Sequence, residues 1–460
     1  MVTSMTGFTS DDYLSSQYLR HMVLDFVQMK DFMSEPLVFD RGEGIWIWDT
    51  NGEKYLDGIS GVWVTSLGHS NARVVAAIKQ QLETLIFSSP ILTTNTRAVE
   101  YVEMLGQVTP EGLTTIKILS GGSEATETAI KLVRQYFHQT GHPTKKIIIS
   151  RYLNFHGVTL GALSATGMTN RKAPFEPLPA GFRHIPPPYC LRCPFGLKYP
   201  ECNILCARML EQVILYEGPD NIAAFMAEPI QLSTGNIVPP PEYWPTIREI
   251  CDKYGVLIIL DEVATGMGRT GRLWAAETFG FVPDVLCMGK GMAAGFMPLS
   301  GVAFRDEVAE VFISDDKEMA FNDGHTYGGN PVACAAGIAV LQELQERGLV
   351  EHCNRMGQYL MQRLEDLREF GVVGEIRGKG LMVGIELVQN PDTLEPFPHE
   401  LGFGVKVGRT AILKEKMLVR YAPEWVAVAP PFIITEEQIE DLVDRLGRAI
   451  VTVLNQVHVE

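Results

Sequence analysis

The apolar run DVLCMGKGMAAGF, residues 284–296, holds one charge at its centre, Lys290. Burying an unpaired ammonium costs on the order of several kcal/mol or drives the group to neutralise. A lysine in such a run is therefore either poorly solvated or covalently occupied. A second stretch, LIILDEVATGMGRTG, ends a wholly apolar strand on Asp261. That carboxylate reads either as a helix N-cap or as the partner of a cationic ring nitrogen. A third, LSGGSEATETAIKLVRQYF, puts glycines and a serine where a strand turns into a helix. It reads either as an ordinary glycine-rich turn or as a phosphate cradle at Gly122 and Ser123, because amides at a helix start and the helix dipole favour an anion. No lysine follows the last glycine, so it is not a Walker loop. Lysine, carboxylate and phosphate turn together fit one cofactor, pyridoxal 5'-phosphate, whose enzymes use a Schiff-base lysine and an acidic partner for the pyridinium.

These residues need a scaffold that collects them. Short β-rich runs recur at 116–119, 146–149, 223–227, 256–260, 284–288 and 300–304, separated by helical segments. Nearly continuous apolar strands alternating with helices predict a parallel sheet covered on both faces. Ligands bind such sheets beyond the carboxyl ends of the strands. The residues expected there are Ser120 to Ser123, Ser150, Glu228, Asp261 and Lys290. From about 335 the pattern changes to a strand pair, EIRGKGLMVGIEL, and an amphipathic helix, TEEQIEDLVDRLGRAIVTVL. Thr435 and Gln438 make its capping box; Ile439, Leu442, Val443, Leu446 and Ile450 make its apolar face. The segment 35–60 reads as a hairpin turning at Asn51-Gly52 and is expected to join that smaller domain. The expected organisation is an N-terminal segment 1–60, a large domain 61–335 with an insertion at about 173–207, and a small domain 336–460. The proline-rich stretch 173–188 is expected to lack regular structure. GKGLMVG, around Gly378 and Gly380, lacks the strand–turn–helix setting of a dinucleotide loop.

Composition narrows the partners. The 460 residues carry a formal charge of -16 and are 46% hydrophobic. That balance disfavours nucleic acid and anionic membrane and fits a cytoplasmic protein. The N-terminus shows no apolar signal core, and no stretch approaches the length of a membrane span. Eight cysteines are too few for a disulfide scaffold. Four of them, Cys190, Cys193, Cys202 and Cys206, have a spacing that suits a structural zinc site, but it reads first as a loop with unengaged thiols or one closed by a local disulfide; no catalytic metal is expected.

The motifs SGGSEATETAIKL, NFHG, AEPIQ, LDEVATGMGRTG, GKG, HTYGGNPVACAAG, RGKGLMVGIEL and APPFIIT, with GVWVTSLGHSN upstream, resemble the class III (ω-) aminotransferases of fold-type I. The resemblance spans roughly 35–455 and is nearest to ω-amine:pyruvate transaminases. It implies an α/β fold: a large domain on a mostly parallel seven-stranded sheet, plus a smaller α+β domain drawn from both termini. It also implies a homodimer, or a higher assembly, with the active site at its interface.

Residue roles follow from the same resemblance. Lys290 matches the Schiff-base lysine and Asp261 the carboxylate on the pyridine nitrogen. Gly122 and Ser123 match the phosphate turn. Val263 and Phe155 match the residues on the two ring faces; many members have tyrosine where Phe155 stands, so a hydroxyl is lost. Glu228 matches an active-site glutamate. Thr326 matches the threonine that reaches the partner subunit's phosphate. Trp63 matches a substrate-pocket residue, although a tryptophan in an apolar run also suits a core. Arg420 matches a mobile arginine for substrate carboxylates, against the alternative of a solvated surface arginine. His156 belongs with the cofactor surroundings and reads as a structural histidine rather than an acid or base.

The expected activity is transfer of an amino group from an ω-amine or amino acid to a keto acid, pyruvate first, by a ping-pong route. Runner-up substrates are 4-aminobutyrate, β-alanine, taurine or diaminopelargonate. Further options are an aminomutase or racemase, or a binding protein that kept the fold without the chemistry.

Overall fold

The computed structural model describes residues 10–457. Strands β1 (Phe39–Glu43), β2 (Trp46–Asp49) and β3 (Lys54–Leu56) form an antiparallel sheet. The hairpin expected at Asn51-Gly52 joins β2 to β3, and one strand more precedes it. Asp49 closes the turn: its Oδ1 accepts the amides of Asn51 and Glu53, both at 2.9 Å. Gly52, at φ +80, takes the conformation that disfavours a side chain.

The large sheet contains β4 (Thr115–Leu119), β5 (Ile147–Arg151), β6 (Phe182–Ile185), β7 (Ile222–Ala227), β8 (Leu257–Asp261), β9 (Val285–Met288) and β10 (Ser300–Phe304). Their order is β4-β10-β9-β8-β7-β5-β6. Strands β9, β8, β7, β5 and β6 are mutually parallel, whereas β10 runs antiparallel to both β4 and β9. Every residue of β7, β9 and β10 is buried, as strands covered on both faces require.

Strand β6 corrects an expectation. It lies within the proline-rich stretch, pairing Ile148 with Phe182 through Arg151 with Ile185. The prolines bracket it rather than interrupt it, and an edge strand of four residues needs partners on one side only.

A second antiparallel sheet contains β11 (Val373–Gly378), β12 (Val383–Asn390), β13 (Glu395–Pro396), β14 (Arg420–Ala422) and β15 (Trp425–Val428). The C-terminal helix Glu436–Val457 starts at the expected capping box: the Thr435 amide donates to Gln438 Oε1 at 3.1 Å and the Gln438 amide to Thr435 Oγ1 at 3.3 Å. All five residues of its expected apolar face are buried. The N-terminal hairpin meets this region, since the Leu56 amide donates to the Lys416 carbonyl at 2.9 Å and the Leu418 amide returns to Leu56 at 2.8 Å.

Arg269 joins these parts. Its buried guanidinium donates to the carbonyls of Leu381 (3.3 Å), Ala429 (3.2 Å) and Pro430 (2.7 Å) and to Ser60 Oγ (3.2 Å), above the ring of Phe432. Burial lowers its pKa to about 10. Arg269→Leu strands several buried acceptors, each worth roughly 1–3 kcal/mol when unpaired. The expected loss is on the order of 3 kcal/mol, read as a lower urea midpoint. A change under about 1 kcal/mol would show that water takes the guanidinium's place.

Candidate active site

Three neighbouring parallel strands each deliver one ionisable group to the same rim. Glu228 follows β7, Asp261 ends β8, and Lys290 stands two residues after β9. Parallel neighbours lie about 4.8 Å apart, so the middle strand brings its carboxylate between the other two groups. The run around Lys290 is a 3-10 turn, and Lys290 itself has φ +40, a strained region for a side chain-bearing residue.

Lys290 is enclosed by protein, with part of its surface open to the cleft. Burial lowers its pKa to about 8; Glu228 and Asp261 oppose the shift, and Arg269 and Arg420 add to it. Its ammonium lies 5.5 Å from the centre of the Trp63 ring. Glu228 is also buried, which raises its pKa to about 7. Its Oε2 accepts the Phe155 amide at 2.9 Å and its Oε1 the Leu232 amide at 3.2 Å. Arg151 donates to the Glu228 carbonyl.

Asp261 is fixed from two sides. Oδ2 meets His156 Nδ1 at 2.8 Å, and Oδ1 accepts the Val263 amide at 3.1 Å. His156 is held in turn by its backbone: Thr166 Oγ1 accepts its amide at 2.9 Å, and Thr126 Oγ1 donates to its carbonyl at 2.7 Å. Thr126 belongs to the helix Gly122–Gln139, which begins at the glycine turn. The next residue, Glu262, accepts the amides of Ala275 (2.6 Å) and Ala276 (2.8 Å), so the chain leaving β8 is pinned as well.

The glycine turn is shaped by Val263. A Cβ on Gly122 would stand 2.9 Å from Val263 Cγ1, and one on Gly289 would stand 3.0 Å from the same atom. Ser123 Oγ accepts the Val158 amide at 3.1 Å. The glycine of NFHG, Gly157, has φ +129, and a Cβ there would meet Ser123 Oγ at 2.6 Å. Backbone amides at the start of an 18-residue helix, an enclosed amine and a buried carboxylate supply complements for a phosphate, an aldehyde and a ring nitrogen. This set fits pyridoxal phosphate.

Lys290, Asp261, Glu228, His156, Phe155, Val263, Gly122, Ser123 and Trp63 thus gather at one rim. Trp63 belongs to a buried apolar cluster, has φ +57, and leaves Nε1 without a partner among the described residues. Arg420 is exposed on β14, within the electrostatic field of Lys290. Thr326 is exposed and lines a cavity of about 740 Å³ with Ser89, Thr93, Lys117 and His325. Ser150, expected just past a strand end, is inside β5 and donates to the Ala165 carbonyl at 2.6 Å; the strand runs on through Ser150 and Arg151 beyond its apolar run. Asn154, whose amide nitrogen faces His156 Nε2 at 3.2 Å, was not singled out by the sequence. The available signal was its place two residues before His156.

The four clustered cysteines line one small cavity of about 20 Å³ with Tyr189 and Tyr199, all as free thiols. Among the described residues no group of three His, Cys, Asp or Glu is arranged to hold a metal ion. No helix among them is long and apolar enough to cross a membrane.

Residues 29–450 match the family model for aminotransferase class-III. A thermostable (S)-enantioselective omega-transaminase from Thermomicrobium roseum superposes with a TM-score of 0.93 at 37% identity, covering 97% of this chain and 99% of that one. The omega transaminase from Pseudomonas jessenii in complex with PMP gives a TM-score of 0.93 at 33% identity, covering 97% and 99%. The putrescine–pyruvate aminotransferase of Pseudomonas aeruginosa is 36% identical over 412 residues, 88% of each chain.

A depressed lysine pKa makes a pH prediction. Only the neutral amine attacks an aldehyde, so borohydride trapping of an aldehyde at Lys290 should rise with pH around a midpoint near about 8, against the free value of 10.5. Peptide mapping locates the adduct. Between those two values the unfolded chain binds the extra proton, so this group's contribution to stability rises with pH across that window. A trapping midpoint near the free value would show a solvated lysine.

Proposed function

The chain belongs to the class-III aminotransferases, and we propose that it is a pyridoxal phosphate-dependent ω-transaminase that passes the amino group of an amine to pyruvate. The observation that carries this reading is the enclosed Lys290 amine at the same rim as Asp261 and Glu228, beside the glycine turn at Gly122. The family uses an amine donor and a keto acid acceptor; the acceptor's identity and the donor's shape belong to the proposal.

Bound at this rim, pyridoxal phosphate would supply an electron sink and a carbonyl carbon that exchanges amino groups. Gly122 and Ser123 would hold its phosphate, and Val263 and Phe155 would flank its ring. Asp261, steadied by His156, would keep the ring nitrogen protonated. Lys290, its pKa lowered by burial to about 8, would in its neutral form take the proton from the substrate carbon and deliver it to the adjacent position. Glu228 would line the pocket beside it. Trp63 would wall the donor pocket.

Exposed apolar side chains support a homodimer. Leu92 is 99% exposed, Ile91 74% and Tyr327 62%, and all flank the Thr326 cavity or its segment. A patch of that kind marks an interface. Thr326, which lines that cavity, would then serve the partner's phosphate.

The direct test is a panel of amine donors against pyruvate and 2-oxoglutarate, read by bleaching of the bound cofactor's visible band. No band, or no bleaching by any amine, sinks the reading.

Arg420 separates acceptor from donor. A bidentate arginine–carboxylate contact is worth about 1.5–3 kcal/mol. Arg420→Ala should cost the keto-acid half-reaction roughly one to two orders of magnitude in kcat/KM and leave an apolar amine such as 1-phenylethylamine nearly unaffected. Single-turnover rates for each half-reaction decide it. Equal losses in both would make Arg420 a structural arginine.

A further inference from the structure

Behind Asp261 runs a buried polar chain. His156 Nδ1 meets Asp261 Oδ2 at 2.8 Å, and His156 Nε2 meets Asn154 Nδ2 at 3.2 Å. All three residues are buried. A carboxylate only accepts, so Nδ1 carries a proton. The state of Nε2 is then decided by Asn154. An amide nitrogen offers hydrogens alone, which leaves Nε2 as an acceptor and the ring neutral. An amide oxygen in the same place would draw a second proton onto Nε2 and make the ring a cation.

The difference reaches the site. A neutral imidazole leaves Asp261 its full charge, whereas an imidazolium would cancel much of it at 2.8 Å. The surroundings do not settle the matter alone. Asp261 and Glu228 face the imidazole as acids, and His184, its pKa lowered to about 4 by burial, as a neutral ring. Asn154 is itself held at its backbone: its carbonyl accepts the Gly167 amide at 2.9 Å and its amide donates to Arg151 at 3.4 Å.

We propose that Asn154 is a positioning residue that keeps His156 singly protonated, on Nδ1, so that Asp261 presents an undivided negative charge to the cofactor's ring nitrogen. The destination of that charge rests on the reading under Proposed function; the protonation of His156 does not.

The test is ¹⁵N NMR of the protein labelled at histidine, with and without added pyridoxal phosphate, between about pH 6 and 9. His156 should show a pyrrole-type Nδ1 and an imine-type Nε2 in both forms. Two pyrrole-type nitrogens in the wild type would overturn the proposal outright. In Asn154→Asp a carboxylate faces Nε2 and should bring the second proton onto it. With cofactor, the pH titration of the visible band should then move, and both half-reactions should slow by roughly ten- to hundred-fold, the size seen when the outer hydrogen bond of a metal-binding histidine is lost. KM for pyruvate should hold. An Asn154→Asp spectrum identical to wild type would also overturn the proposal. Should that variant not fold, the wild-type spectrum decides alone. Absence of a visible band would defeat the transaminase reading and leave the NMR result standing.

Discussion

An ammonium kept from water at the end of a sheet is the constraint on which the site depends. Lys290 cannot be buried here without carboxylates near it, and the parallel arrangement of β7, β8 and β9 brings Glu228 and Asp261 to the same rim. Two full anions and one cation would be a poor bargain in a dry pocket. Burial raises Glu228 to about 7, so near neutrality that carboxyl shares its charge with a proton. Strand β10 runs the other way and presents its first residue at this rim. That residue, Ser300, donates to the Gly121 carbonyl at 2.8 Å and holds the glycine turn instead of contributing a reactive group.

The parts of the site are mechanically joined. Thr126 ties the helix that starts at Gly122 to the backbone of His156, and His156 ties that to Asp261. Val263, whose amide bonds Asp261, also fills the space that side chains at Gly122 and Gly289 would need. A displacement of the phosphate end therefore moves the ring-nitrogen end with it, as preorganised electrostatic catalysis requires.

What was legible in the sequence was local. Lys290 in an apolar run, Asp261 at the end of another and glycines before a helix are patterns a single stretch reveals. The strand alternation revealed the mostly parallel sheet, and the 3.6-residue period revealed the C-terminal helix. What was hidden depends on partners far along the chain. Asn154 matters through His156 and Asp261, the latter 105 residues away from His156. The edge strand Phe182–Ile185 was masked by bracketing prolines, whose effect on a strand depends on whether it has one neighbour or two. Ser150 was misplaced because β5 continues into Arg151, a charged residue that hides the end of an apolar run.

Arg269 carries a consequence for how the chain is made. Its hydrogen-bond partners are spread from Ser60 to Pro430. During synthesis the guanidinium emerges long before all three of the carbonyls that accept its hydrogen bonds. The junction cannot close until the last strand and the residues after it have left the ribosome. Contacts of such long range form late and slowly, leaving apolar surface open meanwhile. Chains halted short of residue 430 would carry a nearly finished sheet around an unanswered charge, and they are the species that a chaperone or protease would meet.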